Sequence, residues 1–166
     1  MNYLTITHDD MLNGDGLRVV LWVAGCRCHC KDCQNAYSWN FNEGVKFDEA
    51  ARQEIFEELK KDYISGITLT GGHPLEPENY PEVLQLCKDI KAQFPDKTIW
   101  LYTGYSFLEL YCHKVAKILS YIDVLVDGKY DRELRNISLK WRGSSNQRVI
   151  DVKKTLQNGE IVLLCE

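Results

Sequence analysis

The sequence predicts an α/β fold of mainly parallel strands, and three observations carry that expectation. Short runs rich in Ile, Val, Leu, Thr and aromatic residues recur along the chain, amphipathic helical stretches separate them, and each run ends at or beside a glycine. Strand and helix in alternation are what βαβ units with parallel strands require. The 166 residues suit one domain, since domains cluster near ~100–150 residues. No internal repeat, low-complexity stretch or Pro/Ser-rich linker divides them.

The elements follow in order. Residues 17–24, Leu-Arg-Val-Val-Leu-Trp-Val-Ala, form an apolar, β-branched run that stops at Gly25 and predicts a buried strand. Asp48 is placed to cap a helix running to about Tyr63, with Ala51, Ile55, Leu59 and Tyr63 on one face. Residues 67–70 predict the next strand, ending at Gly71. Asn79 with Glu82 three residues on makes a capping-box pattern before the stripe Val83, Cys87, Ile90 and Phe94. Residues 98–103 predict a strand ending at Gly104. Ser106 with Glu109 repeats the capping pattern before Leu110, Val115, Ile118 and Leu119. A last strand is predicted over residues 122–126, before Gly128. In βα folds the site lies at the carboxyl ends of the strands. Residues 26–33, 71–74, 103–105 and 127–129 are therefore expected on one rim.

Composition narrows the function classes. The chain is 45% hydrophobic and 27% charged, ordinary for a globular protein. No apolar run approaches the ~18 residues of a membrane span, and the N-terminus has no secretory pattern, so a cytoplasmic protein is expected. A net charge of −4 argues against general nucleic-acid binding. The charge is uneven, however. Residues 129–154 carry eight basic side chains against three acids, a net +5 that leaves −9 for the rest. Such asymmetry marks a docking surface, an anionic-ligand site or simply a solvated face.

Four of the seven cysteines, Cys26, Cys28, Cys30 and Cys33, fall within eight residues. In a reducing compartment such a group binds metal or performs chemistry more often than it forms disulfides. The spacing Cys26-x3-Cys30-x2-Cys33 lets three thiolates reach separate irons of one cluster and leaves a fourth iron open, as catalytic metal sites require. Cys28 is a spare thiol inside the loop. Structural zinc on these thiols and His29 is the alternative, but zinc sites usually pair two knuckles and no second knuckle follows. Cys87, on an apolar stripe, is expected as a buried small hydrophobe.

Gly25-Cys26-x3-Cys30-x2-Cys33 after a first buried strand resembles the signature of the radical S-adenosylmethionine superfamily. Asn13-Gly14-Asp15-Gly16-Leu17-Arg18 is similar to the segment before the cluster in glycyl-radical activating enzymes. Cys33-Gln34-Asn35-Ala36-Tyr37-Ser38-Trp39, Thr70-Gly71-Gly72-His73-Pro74-Leu75, Trp100-Leu101-Tyr102-Thr103-Gly104-Tyr105, Val124-Leu125-Val126-Asp127-Gly128-Lys129 and the run from Trp141 to Ile150 resemble one branch. That branch activates the anaerobic ribonucleoside-triphosphate reductase.

The resemblance implies a truncated radical-SAM form of the fold, a partial (βα) barrel of mainly parallel strands. It implies a 4Fe-4S cluster on Cys26, Cys30 and Cys33, with the fourth iron chelated by S-adenosylmethionine. Reductive cleavage of that cofactor then generates a radical that removes hydrogen from a glycine of the reductase. The chemistry belongs to cluster and cofactor, so no side chain is expected to be catalytic in its own right. The resemblance implies cofactor contacts from Gly71 and Gly72, backbone contacts from Asp32, Cys33 and Gln34, and a contact from Thr103, with Gly104 beside it. His73 stands where the family commonly has an acidic residue, and Asp32 where many members have an aromatic. Tyr37 and Trp39 are placed to shield the cluster, or for Trp39 simply to pack. A flavodoxin-type electron donor is implied as a further partner. The basic segment 129–166, with Arg142 and Arg148, is expected to face the partner. A formate-lyase activator type and a zinc-stabilised interaction module remain the alternatives.

Overall fold

The computed structural model describes residues 1–165 as one mixed eight-stranded sheet with helices packed on one face. In chain order the strands are β1 (Asn2–Asp10), β2 (Leu17–Val23), β3 (Val45–Lys46), β4 (Ile64–Gly71), β5 (Thr98–Tyr102), β6 (Val124–Asp127), β7 (Arg148–Asp151) and β8 (Leu163–Cys165). The helices are α1 (Glu49–Leu59), α2 (Tyr80–Gln93), α3 (Phe107–Tyr111) and α4 (Val152–Asn158). The sheet order is β3-β1-β2-β4-β5-β6-β7-β8.

The four strands expected from apolar runs are the central parallel block, β2, β4, β5 and β6. The expectation of mainly parallel strands needs correction. β1 pairs antiparallel with β2 and β3, and β7 pairs antiparallel with β6 and β8, so antiparallel ladders outnumber parallel ones among the described residues. The outer strands are short or irregular, and β1 slips register twice against β2. Such strands carry a weak alternating signal, unlike the doubly covered central ones.

Within the strands, alternate residues face two different cores. Val19, Leu21, Ile67, Leu69, Ile99, Leu101 and Leu125 pack under α1, α2 and the segment after β5. Trp100, Val124, Val126 and Val149 form a second cluster on the other face, with Tyr102, Trp141 and Cys165 against it. Cys87 is fully buried in the first core, as expected, and burial pushes its thiol up to about 12.

Two helices depart from their predicted limits. α1 begins at its Asp48 cap, whose side chain accepts from the Ala51 amide, but stops at Leu59 and leaves Tyr63 exposed. The capping box at Ser106 and Glu109 forms, yet α3 spans only Phe107–Tyr111, and Ile118 and Leu119 reach the core from a 3-10 turn at Ala116–Ser120. No helix among the described residues is long and apolar enough to cross a membrane.

Arg18 plugs the second face near the start of β2. It is 1% exposed. Nε donates to Thr68 Oγ1 (2.9 Å), Nη1 to Asp15 O and Thr98 Oγ1 (3.0 Å each), and Nη2 to Ile67 O (2.8 Å) and Thr98 O (2.9 Å). All five N–H groups are used on neutral acceptors, and the guanidinium lies against the Trp100 ring. Burial pulls its pKa down to about 10. Arg18→Met would leave two hydroxyls and three carbonyls without these donors, a loss of roughly 2–3 kcal/mol. A melting temperature lower by about 5–10 °C under anaerobic conditions is the expected reading; an unchanged one would show that the strand starts hold themselves.

Candidate cluster and cofactor site

The carboxyl ends of the parallel strands meet as expected. A cavity of about 110 Å³ is lined by all four cysteines of the loop after β2, by Gly71, Gly72 and His73 after β4, by Thr103 and Gly104 after β5, and by Gly128, Lys129 and Tyr130 after β6.

The loop is clasped at its base. The Gly25 amide donates to Ser38 O (2.7 Å) and the Cys26 amide to Trp39 O (3.1 Å), so the segment from 25 to 39 closes on itself. Within it His29 and Asp32 take left-handed backbone conformations, at φ 45° and φ 54°. Such conformations store strain that the surrounding contacts must hold.

Three of the four thiols receive backbone N–H groups. Cys26 accepts the Cys28 thiol and the amides of Cys28 and His29, which together hold it down to about 7. Cys33 Sγ accepts the Asn35 amide at 3.4 Å. Cys30 accepts from the Tyr130 backbone, although burial and the neighbouring Cys33 push its thiol up. Cys28 is different: its thiol donates to Cys26 and is pushed up by that bond and by burial. Amides aimed at sulfur are how proteins support and tune thiolate-ligated clusters.

The donor set, four thiols lining one cavity, fits an iron–sulfur cluster. Among the described residues no three His, Cys, Asp or Glu side chains are arranged to hold one metal ion. The thiols ring a cavity instead, and thiolates reaching separate irons need such separation.

Gly71 and Gly72 are required by the fold itself. A Cβ on Gly71, at φ 100°, would lie 2.8 Å from the Val23 backbone, and one on Gly72 would lie 2.6 Å from Gly25 O. Close approach of this turn to the cysteine loop explains both glycines before any ligand is considered. The Gly72 amide donates to Val23 O (2.7 Å) and the His73 amide to Gly25 O (2.8 Å), fastening the turn in place.

His73 is buried, and burial lowers its pKa, so it is neutral. Its Nδ1 lies 3.3 Å from Glu76 Oε1 and its Nε2 2.8 Å from Thr103 Oγ1. A carboxylate only accepts, which assigns the ring proton to Nδ1 and leaves Nε2 to accept the Thr103 hydroxyl. Glu76 also accepts the Arg27 amide (2.8 Å) and Arg27 Nη1 (2.7 Å). Burial works against its charge, but the Arg27 amide and guanidinium hold its carboxyl below the usual range. A chain of bonds therefore runs from the cysteine loop through Glu76 and His73 to Thr103 at the end of β5.

Asn79 makes no capping bond to α2; its Nδ2 donates to Ala24 O (2.8 Å) and His73 O (3.1 Å), bracing the site. Asp32 and Gln34 are exposed and lie outside the cavity lining, and Asp32 pairs with Arg132. Tyr37, 60% exposed, does not shield the cavity. Trp39 lines it, stacks on the His29 ring at 4.6 Å, and has a buried Nε1 with no partner among the described residues. Arg142 and Arg148 turn inward. Arg142 Nη1 donates to Gln147 O (2.8 Å), and Arg148 grips the buried Asp127 carboxylate (3.0 and 2.5 Å). These bonds brace β6 and β7.

The family described as a 4Fe-4S single cluster domain matches residues 12–150. The chain is 46% identical over 149 residues to the anaerobic ribonucleoside-triphosphate reductase-activating protein of Enterobacteria phage T4, covering 90% of this chain and 93% of that one. It is 46% identical over 149 residues to the protein of that name from Haemophilus influenzae, covering 89% and 96%. Against the one from Escherichia coli (strain K12) it is 42% identical over 151 residues, covering 90% and 97%.

Proposed function

Because the chain belongs to the anaerobic ribonucleoside-triphosphate reductase-activating proteins, we propose that it installs a glycyl radical on such a reductase. Cys26, Cys30 and Cys33 hold a 4Fe-4S cluster, and S-adenosylmethionine binds beside it. When bound, cluster and cofactor supply one-electron cleavage of a carbon–sulfur bond.

The chain's own residues orient and enclose. Gly71 and Gly72 bring β4 against the cysteine loop, so a ligand at the open iron meets backbone groups at that turn. Thr103 and Gly104 close the next strand end, and Lys129, Tyr130 and Gln147 close the far wall. Asp32, Cys33 and Gln34 offer backbone groups in the loop, although the first and last lie on its outer side. The observation that carries this reading is that all four loop cysteines line one cavity with the Gly71–Gly72 turn at the strand ends. The relatives' names favour the reductase as target over a formate-lyase type of activator.

Four parallel strands in chain order, with their connecting helices on one face, support placing the sheet among partial (βα) barrels of the radical-SAM type. A flavodoxin-type donor in the cytoplasm suits the electron needed.

The test is one anaerobic mixture of reconstituted protein, dithionite, S-adenosylmethionine and the reductase. A glycyl-radical signal by electron paramagnetic resonance, dependent on all four components, is expected. A colourless, zinc-loaded preparation that never yields 5′-deoxyadenosine would refute the proposal.

A further inference from the structure

We propose that the loop of residues 132–140 is where the reductase seats the segment carrying its target glycine, with Ile137 as apolar anchor and Arg135 and Lys140 facing acidic side chains. This rests on the reductase-activating function above and adds the docking surface to it.

The loop begins at the cavity wall. Tyr130 lines the cavity together with Cys30, and Arg132 pairs with Asp32 of the cysteine loop. The base of the loop is therefore tied to the cysteine loop. The loop is also presented in a fixed shape. Arg135 bridges Ser144 in antiparallel fashion, the Ser145 amide donates to Leu134 O (2.9 Å), and the Asn136 amide donates to Gly143 O (3.2 Å). Asn136 Oδ1 accepts the Ser138 amide (2.9 Å) and turns the tip.

At that tip Ile137 is 84% exposed, and Leu134 beside it is 43% exposed. A single exposed apolar residue is ordinary. Here two exposed apolar residues fall in one short stretch that also carries Arg135 and Lys140. Among the described residues neither Arg135 nor Lys140 has a carboxylate partner, although Lys140 lies over the Trp141 ring at 4.1 Å. Arg142 and Arg148 make internal bonds, and Arg135, Lys140 and the exposed Lys129 add outward charge to this segment. An exposed apolar residue in a stretch with two cations that lack carboxylate partners suits a partner segment with an apolar side chain flanked by acids. The comparably exposed Met11 and Leu12 sit in the turn before β2, at the end of the sheet away from the cavity. A glycine bound there would not reach the cofactor.

The test compares the anaerobically reconstituted wild-type protein with Ile137→Asp, the double variant Arg135→Glu/Lys140→Glu, and Met11→Asp as control. Binding to the reductase and glycyl-radical yield are measured, together with iron content and 5′-deoxyadenosine formed without reductase. Ile137→Asp is expected to weaken binding by about tenfold or more. The double charge reversal is expected to weaken it by a similar factor that shrinks as salt is raised. Radical yield should fall in step, with iron and uncoupled 5′-deoxyadenosine unchanged. Wild-type affinity in both loop variants, or an equal loss in Met11→Asp, would overturn the proposal. Absence of 5′-deoxyadenosine from the wild-type protein would strike the parent function instead.

Discussion

Replacing Cys30 with Ser is expected to abolish the four-iron absorbance and glycyl-radical formation, whereas Cys28→Ala keeps both. The contrast follows from what each sulfur touches. Cys30 takes the Tyr130 amide across the cavity, and Cys33 takes the Asn35 amide. Cys26 takes two loop amides besides the Cys28 thiol, so its thiolate keeps support when Cys28 is removed. A hydroxyl at position 30 is a poor ligand for iron and would leave the cluster two thiolates. Activity should drop by more than the roughly 10–100-fold typical of outer-shell changes at metal sites. Iron and sulfide analysis with anaerobic spectra decides it. Cluster loss in Cys28→Ala, with retention in Cys30→Ser, would reassign the ligands.

The parts of this fold legible in the sequence are those whose signal is local. β2, β4 and β5 are covered on both faces at their centres, so their residues read as unbroken apolar or Thr-rich runs. The antiparallel additions were not legible for the opposite reason. β1 alternates imperfectly and slips register, while β7 begins with Arg148, whose charge disguises a residue bound to Asp127. Capping patterns divided on tertiary grounds. Asp48 and Ser106 have free helix ends to cap, whereas Asn79 is drawn to two carbonyls of neighbouring loops.

In the site, cysteine spacing and strand-end glycines were readable because one short loop and four turns carry them. The Tyr130 amide was not, since it reaches Cys30 from a hundred residues away through the β6 end. Glu76 left a fainter trace: an acid three residues after His73, in a Pro-containing turn beside the glycine pair. Only the fold shows that this carboxylate faces back to the cysteine loop.

Glu76 is the positioning residue whose loss is expected to disturb the site most among side chains that touch neither iron nor cofactor. Its carboxylate joins three groups that the chain brings from different places. These are the Arg27 amide inside the Cys26–Cys30 span, the Arg27 guanidinium, and His73 on the glycine turn. Glu76→Ala strands a loop amide and the His73 Nδ1–H in a buried setting, at about 1–3 kcal/mol for each unmet donor. His73 would then lose the partner that fixes its tautomer, and with it the bond that orients Thr103 Oγ1. The global fold should survive, because Asn79 and the Gly25–His73 bond still pin the turn. The cluster loop should loosen, with lower iron content and faster bleaching in air. Glu76→Gln separates geometry from charge, since its amide oxygen can still accept the Arg27 N–H while one buried negative charge near the sulfurs is gone. Near-normal iron content with a raised cluster reduction potential is expected in Glu76→Gln, because a reduced cluster is less opposed once that charge is removed. A potential equal to that of the wild type, with iron content equal in both variants, would mean that the cysteine loop holds its shape without Glu76.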